Sequence, residues 1–411
     1  MRKNIEKLEN WKIEDLTNLV FFQEGPGVRN NQYTDSGVKL LNVANLKEGN
    51  IYLDNTDRYI SEEEAYGKYS HFLVDEGDLI IASSGIKVEY FDKKMGFAKK
   101  EHLPLCMNTS TIRFKALDDK ILDIKYFAYF LKSVYFKKQI GRLITGSAQL
   151  NFGPTHLKQI KVILPPIDTQ NRIVEVLDKA QSLIDKKKEQ IELLDELIKS
   201  KFIEMFGDPK INPKDWTIME LKNLMILANN GLSRRGNDEE GNIVLRLVEL
   251  QNGYIDYTNV NKIKLTESEE KRYLLKEGDF LFARVNGNPD YVGRCAYFKN
   301  IGENVFHNDH IIRVRFDSEI LNNDYATSVL NSKYGKLQMK DKLKTSAGQY
   351  TINQTGISEI KIPVPPIELQ NEFAEFVTQT DSIRSKMEAS LSELEDNFNS
   401  LMQKAFKGEL F

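Results

Sequence analysis

Between positions 168 and 206 apolar side chains return at alternating three- and four-residue steps. Ile173, Leu177, Ala180, Ile184, Ile191, Leu194, Ile198 and Met205 fall on one line, with Lys187 and Lys201 as charged exceptions. About two hundred residues later Phe373, Val377, Met387, Leu391, Leu394, Phe398, Leu401 and Ala405 draw the same line, interrupted by Thr380 and Arg384. A 3.5-residue spacing held over five heptads predicts a long helix with one apolar seam. Neither segment contains a Gly or Pro. Pro165–Pro166 and Pro365–Pro366 stop whatever precedes, and Asp168 and Glu368 stand where a helix start favours negative charge. Gly207 and Gly408 follow as terminators. Two such helices would expose their seams unless they packed on each other, so the pattern predicts an antiparallel intramolecular coiled coil. Its 39 residues at 1.5 Å each make a rod of roughly 58 Å.

Ahead of each helix the texture differs. Residues 79–82 and 280–283 are short apolar runs of strand length after Glu-Gly-Asp turns. Residues 111–114 and 312–316 alternate as half-buried strands do, and 122–140 and 321–340 have helical spacing, with Ile124, Phe127, Ala128 and Leu131 in the first. The halves also match each other. Residues 40–49 pair with 244–253, 72–79 with 274–281, 108–113 with 308–313, and 126–135 with 325–334. The best match joins 160–171 to 360–371, where Pro165, Pro166, Ile167, Gln170 and Asn171 become Pro365, Pro366, Ile367, Gln370 and Asn371. A tandem repeat of this size makes a built-in pseudo-dimer. The expected class is α+β. Two mixed globular domains, residues 1–165 and 207–365, are each followed by a helix, residues 166–206 and 366–411, with a pseudo-two-fold relation between the halves. The Pro-Pro-Ile blocks read as the joints between domain and helix. Trp11 and Trp216 open matching segments about ten residues beyond the chain start and the first helix end, so residues 1–10 are expected to pack near the end of the second helix.

A chain of 411 residues is long enough for each half to bury its own core. Cys106 and Cys295 lie far apart with no CxxC, which argues against a disulfide scaffold or zinc site and fits a reducing cytoplasm. No run of 18 apolar residues and no apolar leader occur, so no membrane partner is expected. The net charge of −3 is an average: residues 168–206 carry −2 and 368–411 carry −5, leaving the remainder at +4. That excess permits a phosphate-facing surface.

Residues 164–170 and 364–370, each leading into a heptad helix, carry a family resemblance. So do Phe206, Gly207, Asp208 and Pro209 with Trp216 soon after, and the terminal Ala405, Phe406, Lys407, Gly408, Glu409 and Leu410. Over nearly its whole length the chain resembles the specificity subunit of a type I restriction–modification system. The resemblance implies two target-recognition domains, each reading one half of a bipartite site in double-stranded DNA. It implies helical spacers that set the half-site spacing and dock two methyltransferase subunits. Those partners are adenine-N6 methyltransferases that use S-adenosylmethionine, and restriction subunits join them in the full complex. The specificity subunit itself performs no chemistry and holds no cofactor. A rod of this length spans at most roughly 17 base pairs. The second helix is more acidic than the first, so partner contacts need not be equivalent. Two other readings stay open: a coiled-coil adaptor without a DNA role, and a fragment of a fused restriction–modification enzyme, which would bind S-adenosylmethionine alone.

No G-x-G-x-x-G or Walker A string appears, and the Pro-Pro pairs lack the acid or amide and the aromatic of an amino-methyltransferase motif. His307 and His310 have no ligand partners at metal spacing, so they read as structural or turn residues and no catalytic or metal residue is assigned. The candidate DNA-facing side chains lie in three pairs of matched loops. Residues 25–33, with Arg29, Asn30, Gln32 and Tyr33, match 229–237, with Arg234, Arg235 and Asn237. Residues 83–87, with Ser84 and Lys87, match 284–288, with Arg284, Asn286 and Asn288. Residues 146–149, ending in Gln149, match 346–349, ending in Gln349. Arg suits guanine, and Asn or Gln suits adenine. Singly these are polar surface turns. Together, divergent residues inside a shared frame are what two domains reading different half-sites would show. Residues 186–188, three lysines, read as a solvated helix face.

Overall fold

A computed structural model describes residues 10–54, 56–144, 150–346 and 348–411. The chain forms two compact units. The first takes the chain up to Lys187 together with Ser390–Phe411; the second is Lys188–Ala389.

In the first unit an antiparallel sheet runs in the order Val20–Glu24, Thr111–Ala116, Leu79–Ala82, Met95–Phe97. The apolar run expected at 79–82 is buried throughout. Helices Ile124–Lys132 and Val134–Leu143 cover the sheet, and the Phe127 ring packs, tilted, 5.2 Å from Phe114 of the central strand. Asp123 starts the first of these helices by accepting the N–H groups of Lys125 and Tyr126 at 2.6 and 3.1 Å. A smaller sheet, Leu105–Met107, Val38–Leu41 and Tyr59–Ile60, carries its own cluster with Val28, Leu40, Tyr69 and Cys106. Lys12–Asp15 pairs with Lys161–Leu164 immediately before the Pro-Pro joint.

The second unit repeats this plan. Its main sheet has the order Met225–Asn230, Ile311–Phe316, Phe280–Ala283, Cys295–Tyr297. Helices Asn323–Asn331 and Lys333–Asp341 follow. The smaller sheet is Lys262–Ile263, Asn242–Leu245, Val305–His307, and Thr217–Glu220 pairs with Lys361–Val364. In both units the Arg of the central strand is buried, because the strand is covered on both faces rather than one. Arg113 donates to the carbonyls of Leu73 and His71 at 2.6 and 2.8 Å, and Arg313 to those of Leu274 and Arg272 at 2.5 and 3.1 Å. Behind them lie the buried carboxylates Asp78 and Asp279, 3.4 and 3.7 Å away.

Both long helices form as the periodicity predicts, Ile167–Phe206 and Ile367–Lys407. In the first unit Ile173, Val174 and Leu177 share a core cluster with Met402, Ala405 and Phe406. In the second, Phe202 lies 5.6 Å from Phe373 and Phe206 lies 4.8 Å from Tyr325. There Asp195 meets Arg384 at 2.6 Å, so moving forward along one helix moves backward along the other: they run antiparallel. Ile184, Leu194 and Val377 are buried; Ile191, Ile198, Met387, Leu391, Leu394 and Phe398 are half-buried. The exceptions in the seam have their own solutions. Arg384 reaches out to Asp195, and buried Thr380 donates its hydroxyl to the Phe376 carbonyl at 2.9 Å.

The joints are fixed by one side chain each. Gln170 is 0% exposed; its oxygen accepts the Asp123 N–H at 2.9 Å and its nitrogen donates to the Ile121 and Pro165 carbonyls, both at 2.8 Å. Gln370 does the same with the Asn322 N–H and the Ile320 and Pro365 carbonyls, at 2.9, 3.0 and 2.7 Å. Residues 1–9, expected near the end of the second helix, lie outside the described residues. Trp11 packs against the cluster that holds Phe406. Its repeat partner Trp216 donates its indole N–H to the Phe206 carbonyl at 3.0 Å. Among the described residues no helix is long and apolar enough to cross a membrane.

Candidate nucleic-acid interface

Each central strand is entered through a tight turn, residues 108–110 in the first unit and 308–310 in the second. In the first, Asn108 is buried; its oxygen accepts the N–H groups of Val28 and Thr109 at 3.1 and 2.8 Å, and its nitrogen donates to Asn42 at 3.0 Å. In the second, the Leu232 N–H donates to the His307 carbonyl at 2.9 Å and the Asp309 N–H to the Leu232 carbonyl at 3.0 Å. Gly25 and Gly231 make this approach possible. A Cβ there would stand 2.1 Å from the Asn108 carbonyl oxygen and 2.2 Å from that of His307, so no other residue fits.

The second loop pair reaches the same turn. Ser83 and Arg284 donate their N–H groups to the Ser110 and His310 carbonyls, both at 2.8 Å. The chain just beyond the third pair is tied to the second. Phe152 and Ile352 donate N–H groups to the Ser83 and Arg284 carbonyls at 3.0 and 2.9 Å, and Val285 and Asn286 pair with Thr351 and Tyr350. The first two loops therefore converge on one turn within each unit, and the chain just beyond the third, at Phe152 and Ile352, is tied to the second. Residues 145–149 lie outside the described residues.

The candidate side chains divide by what they already hold. Arg29, Asn30 and Lys87 are exposed, and their side chains make no hydrogen bond or ion pair among the described residues. Ser84 is half-buried opposite Asn151. Gln32 is committed to the loop itself: its amide donates to Glu64 and the Tyr69 hydroxyl at 2.9 and 3.0 Å and accepts the Arg29 N–H at 3.2 Å. Tyr33 lies under the Arg58 guanidinium and accepts from Asn108. Gln149 lies outside the described residues. In the second unit Asn237 and Gln349 are exposed without side-chain partners among the described residues. Asn286 and Asn288 spend their oxygens on the N–H groups of Asn288 and Asp290. Arg234 grips Glu269 at 2.9 Å, which with hydrogen bonding from the Thr266 backbone holds that carboxyl down to about 2. Arg235 donates to Asp309 at 2.7 Å and to the Ser233 carbonyl at 3.0 Å, and lies 3.1 Å from His310. Arg284 donates one Nη1–H to the Asp309 carbonyl at 3.1 Å.

The sequence does not single out Asp309, although 308–313 matches 108–113; His310, read from the sequence as a structural or turn histidine, stands on the turn. His310 is half-buried, and burial with Arg235 nearby lowers its basicity. His307 has a different character. It closes the strand Val305–His307, is fully buried, and neither ring nitrogen makes a hydrogen bond. Burial, reinforced by Arg313, pushes its pKa down to about 3. A histidine that must stay neutral to fold gives stability that is complete above its unfolded value near 6.5 and is lost as pH falls from there toward 3. The loss is at most about 1.4 kcal/mol per pH unit. Met107 occupies the equivalent end of its strand in the first unit. His307→Met should flatten the acid limb of the second unit, and urea midpoints at pH 7 and pH 5 measure this. Equal acid sensitivity in both proteins would place its origin elsewhere. Among the described residues no group of three or more His, Cys, Asp or Glu is placed to hold a metal ion.

Two units of one plan, each gathering polar loops on a turn, define a tandem-repeat α+β protein. The family model for the type I restriction modification DNA specificity domain matches twice, at residues 6–194 and 213–396, and the chain belongs to that family. It is 28% identical over 397 residues to the StySPI specificity subunit of a type I restriction enzyme from Salmonella potsdam, covering 92% of this chain and 84% of the relative. It is 25% identical over 425 residues to the EcoKI specificity subunit from Escherichia coli K12, covering 98% and 89%. Its fold matches a chain solved for the structural basis of complex assembly and conformational transition of the type I R-M system. That match has a TM-score of 0.60 at 13% identity, over 98% of this chain and 99% of that one.

Proposed function

We propose that each unit reads one half of a bipartite double-stranded DNA site through the loops gathered on its turn. The long helices set the half-site spacing and dock two methyltransferase subunits, with restriction subunits joining the full complex. The chain contributes recognition and scaffolding and performs no chemistry; S-adenosylmethionine belongs to the methyltransferase partners. The observation that carries this reading is the repeated turn. The backbone contacts around residues 108–110 and 308–310 are alike, while the side chains they present differ. Shared frame with divergent readers is what a bipartite, asymmetric site requires.

Footprinting the chain with its methyltransferase tests the proposal: two protected patches are expected, and one patch or none would contradict it. Removing one heptad from each helix shortens the spacer by about 10 Å, or about 3 base pairs. Methylome sequencing should then show both half-motifs retained at a reduced separation. Unchanged separation would mean that the helices do not set the spacing.

A further inference from the structure

One backbone position is filled by opposite chemistry in the two units. Ser83 and Arg284 each follow the last residue of an inner strand, Leu79–Ala82 or Phe280–Ala283. Both are held by the same pair of backbone hydrogen bonds, to the turn and to Phe152 or Ile352. In the first unit the side chain is a hydroxymethyl group, 1% exposed. In the second it is a guanidinium that is half-buried.

Arg284 spends one Nη1–H on the Asp309 carbonyl. Its Nε and Nη2 have no partner among the described residues, and neither is sealed from solvent. These two nitrogens form one edge of the guanidinium, with two parallel N–H groups. The neighbouring Arg235 is less available, since Asp309, the Ser233 carbonyl and His310 already surround it. Arg284 is thus the more preorganised donor of the two. Its backbone is fixed on both sides, its side chain is anchored by one bond, and its free edge costs little to immobilise further. In the major groove, guanine is the base that offers two adjacent acceptors, N7 and O6; adenine presents a donor beside N7.

We infer that Arg284 reads a guanine in the half-site of the second unit, and that the first unit has no side-chain reader at the equivalent position. The inference rests on the DNA-reading role proposed above. A phosphate would engage the same edge, so the test separates the two ligands. Methylomes are compared for the wild-type chain, Arg284→Ser and Arg284→Lys, each with the partner methyltransferase. The expected result is that both variants make one guanine position degenerate in one half-motif. The other half-motif and the separation stay intact, which also certifies that the variants fold. Affinity for the cognate duplex should fall about 10- to 100-fold, with little change on duplexes already altered at that position. An unaltered motif in Arg284→Ser overturns the inference. Uniform weakening on all duplexes, restored by Arg284→Lys, identifies a phosphate contact and overturns it as well. A wild-type chain that yields no bipartite motif overturns the DNA-reading proposal itself.

Discussion

A chain ending at Ala389 is expected to lose its first unit and keep its second. The cut removes residues 390–411, none of which belongs to the second unit. Within the first they supply buried Met402, Ala405 and Phe406 and half-buried Phe398, Leu401 and Leu410. The Phe406 ring lies 5.4 Å from Tyr126 and 6.1 Å from Phe130, so it packs on the helix that covers the main sheet. Removing one buried Phe costs about 3–5 kcal/mol, against about 5–15 kcal/mol for a whole domain. Losing six apolar contacts together exceeds what the first unit can spare. Hydrogen exchange gives the readout: Thr111–Ala116 should exchange freely while Ile311–Phe316 stays protected. Protection retained in both strands would mean that the last helix segment is dispensable to the core. Phe406→Ala is the milder version, expected to lower the first unit's stability by about 4 kcal/mol.

Arg313→Met is expected to cost the second unit about 3–5 kcal/mol. Methionine fills much of the arginine's volume, so the loss is electrostatic rather than a cavity. Two carbonyls, Leu274 and Arg272, and the Asn229 oxygen lose their donor. Asp279, 0% exposed, keeps only Arg315 at 2.7 Å as a charged partner. Adding Asp279→Asn should cost less than the sum of the single changes, because each removes a charge that the other answers. Urea midpoints for the single and double variants decide it. A loss below about 1 kcal/mol for Arg313→Met would show that water replaces the guanidinium, as it does at exposed ion pairs.

This arginine also marks where sequence patterning stops being informative. Alternation at 312–316 correctly identified a strand, yet it implied that Arg313 faced solvent. Whether the second face of a strand is covered depends on segments such as 272–274, about forty residues away, and periodicity within one strand carries no trace of them. The long helices were legible because each heptad states its own partner requirement locally. The paired loops were legible as pairs, but their common centre was not. Residues 25 and 83 meet at 108–110, and 152 meets 83, only after strand pairing, and no short motif marks the meeting point. Residue type alone did not separate side chains left free from those already committed either. Gln32 and Arg29 are equally suited to bases, and only the hydrogen bonds from Gln32 to Glu64 and Tyr69 show that its amide is already in use.

The clamps formed by Gln170 and Gln370 carry a consequence of another kind. On the domain side every group they hold is main chain: one N–H and two carbonyls. Such a socket is blind to side-chain identity. A globular domain with entirely different loops would seat on the same helix provided its backbone arrived in the same place. Under the DNA-reading role proposed above, exchange of one whole globular domain for another is expected to leave the helical framework undisturbed, so that new sequence preferences are acquired by substitution of parts rather than by gradual redesign.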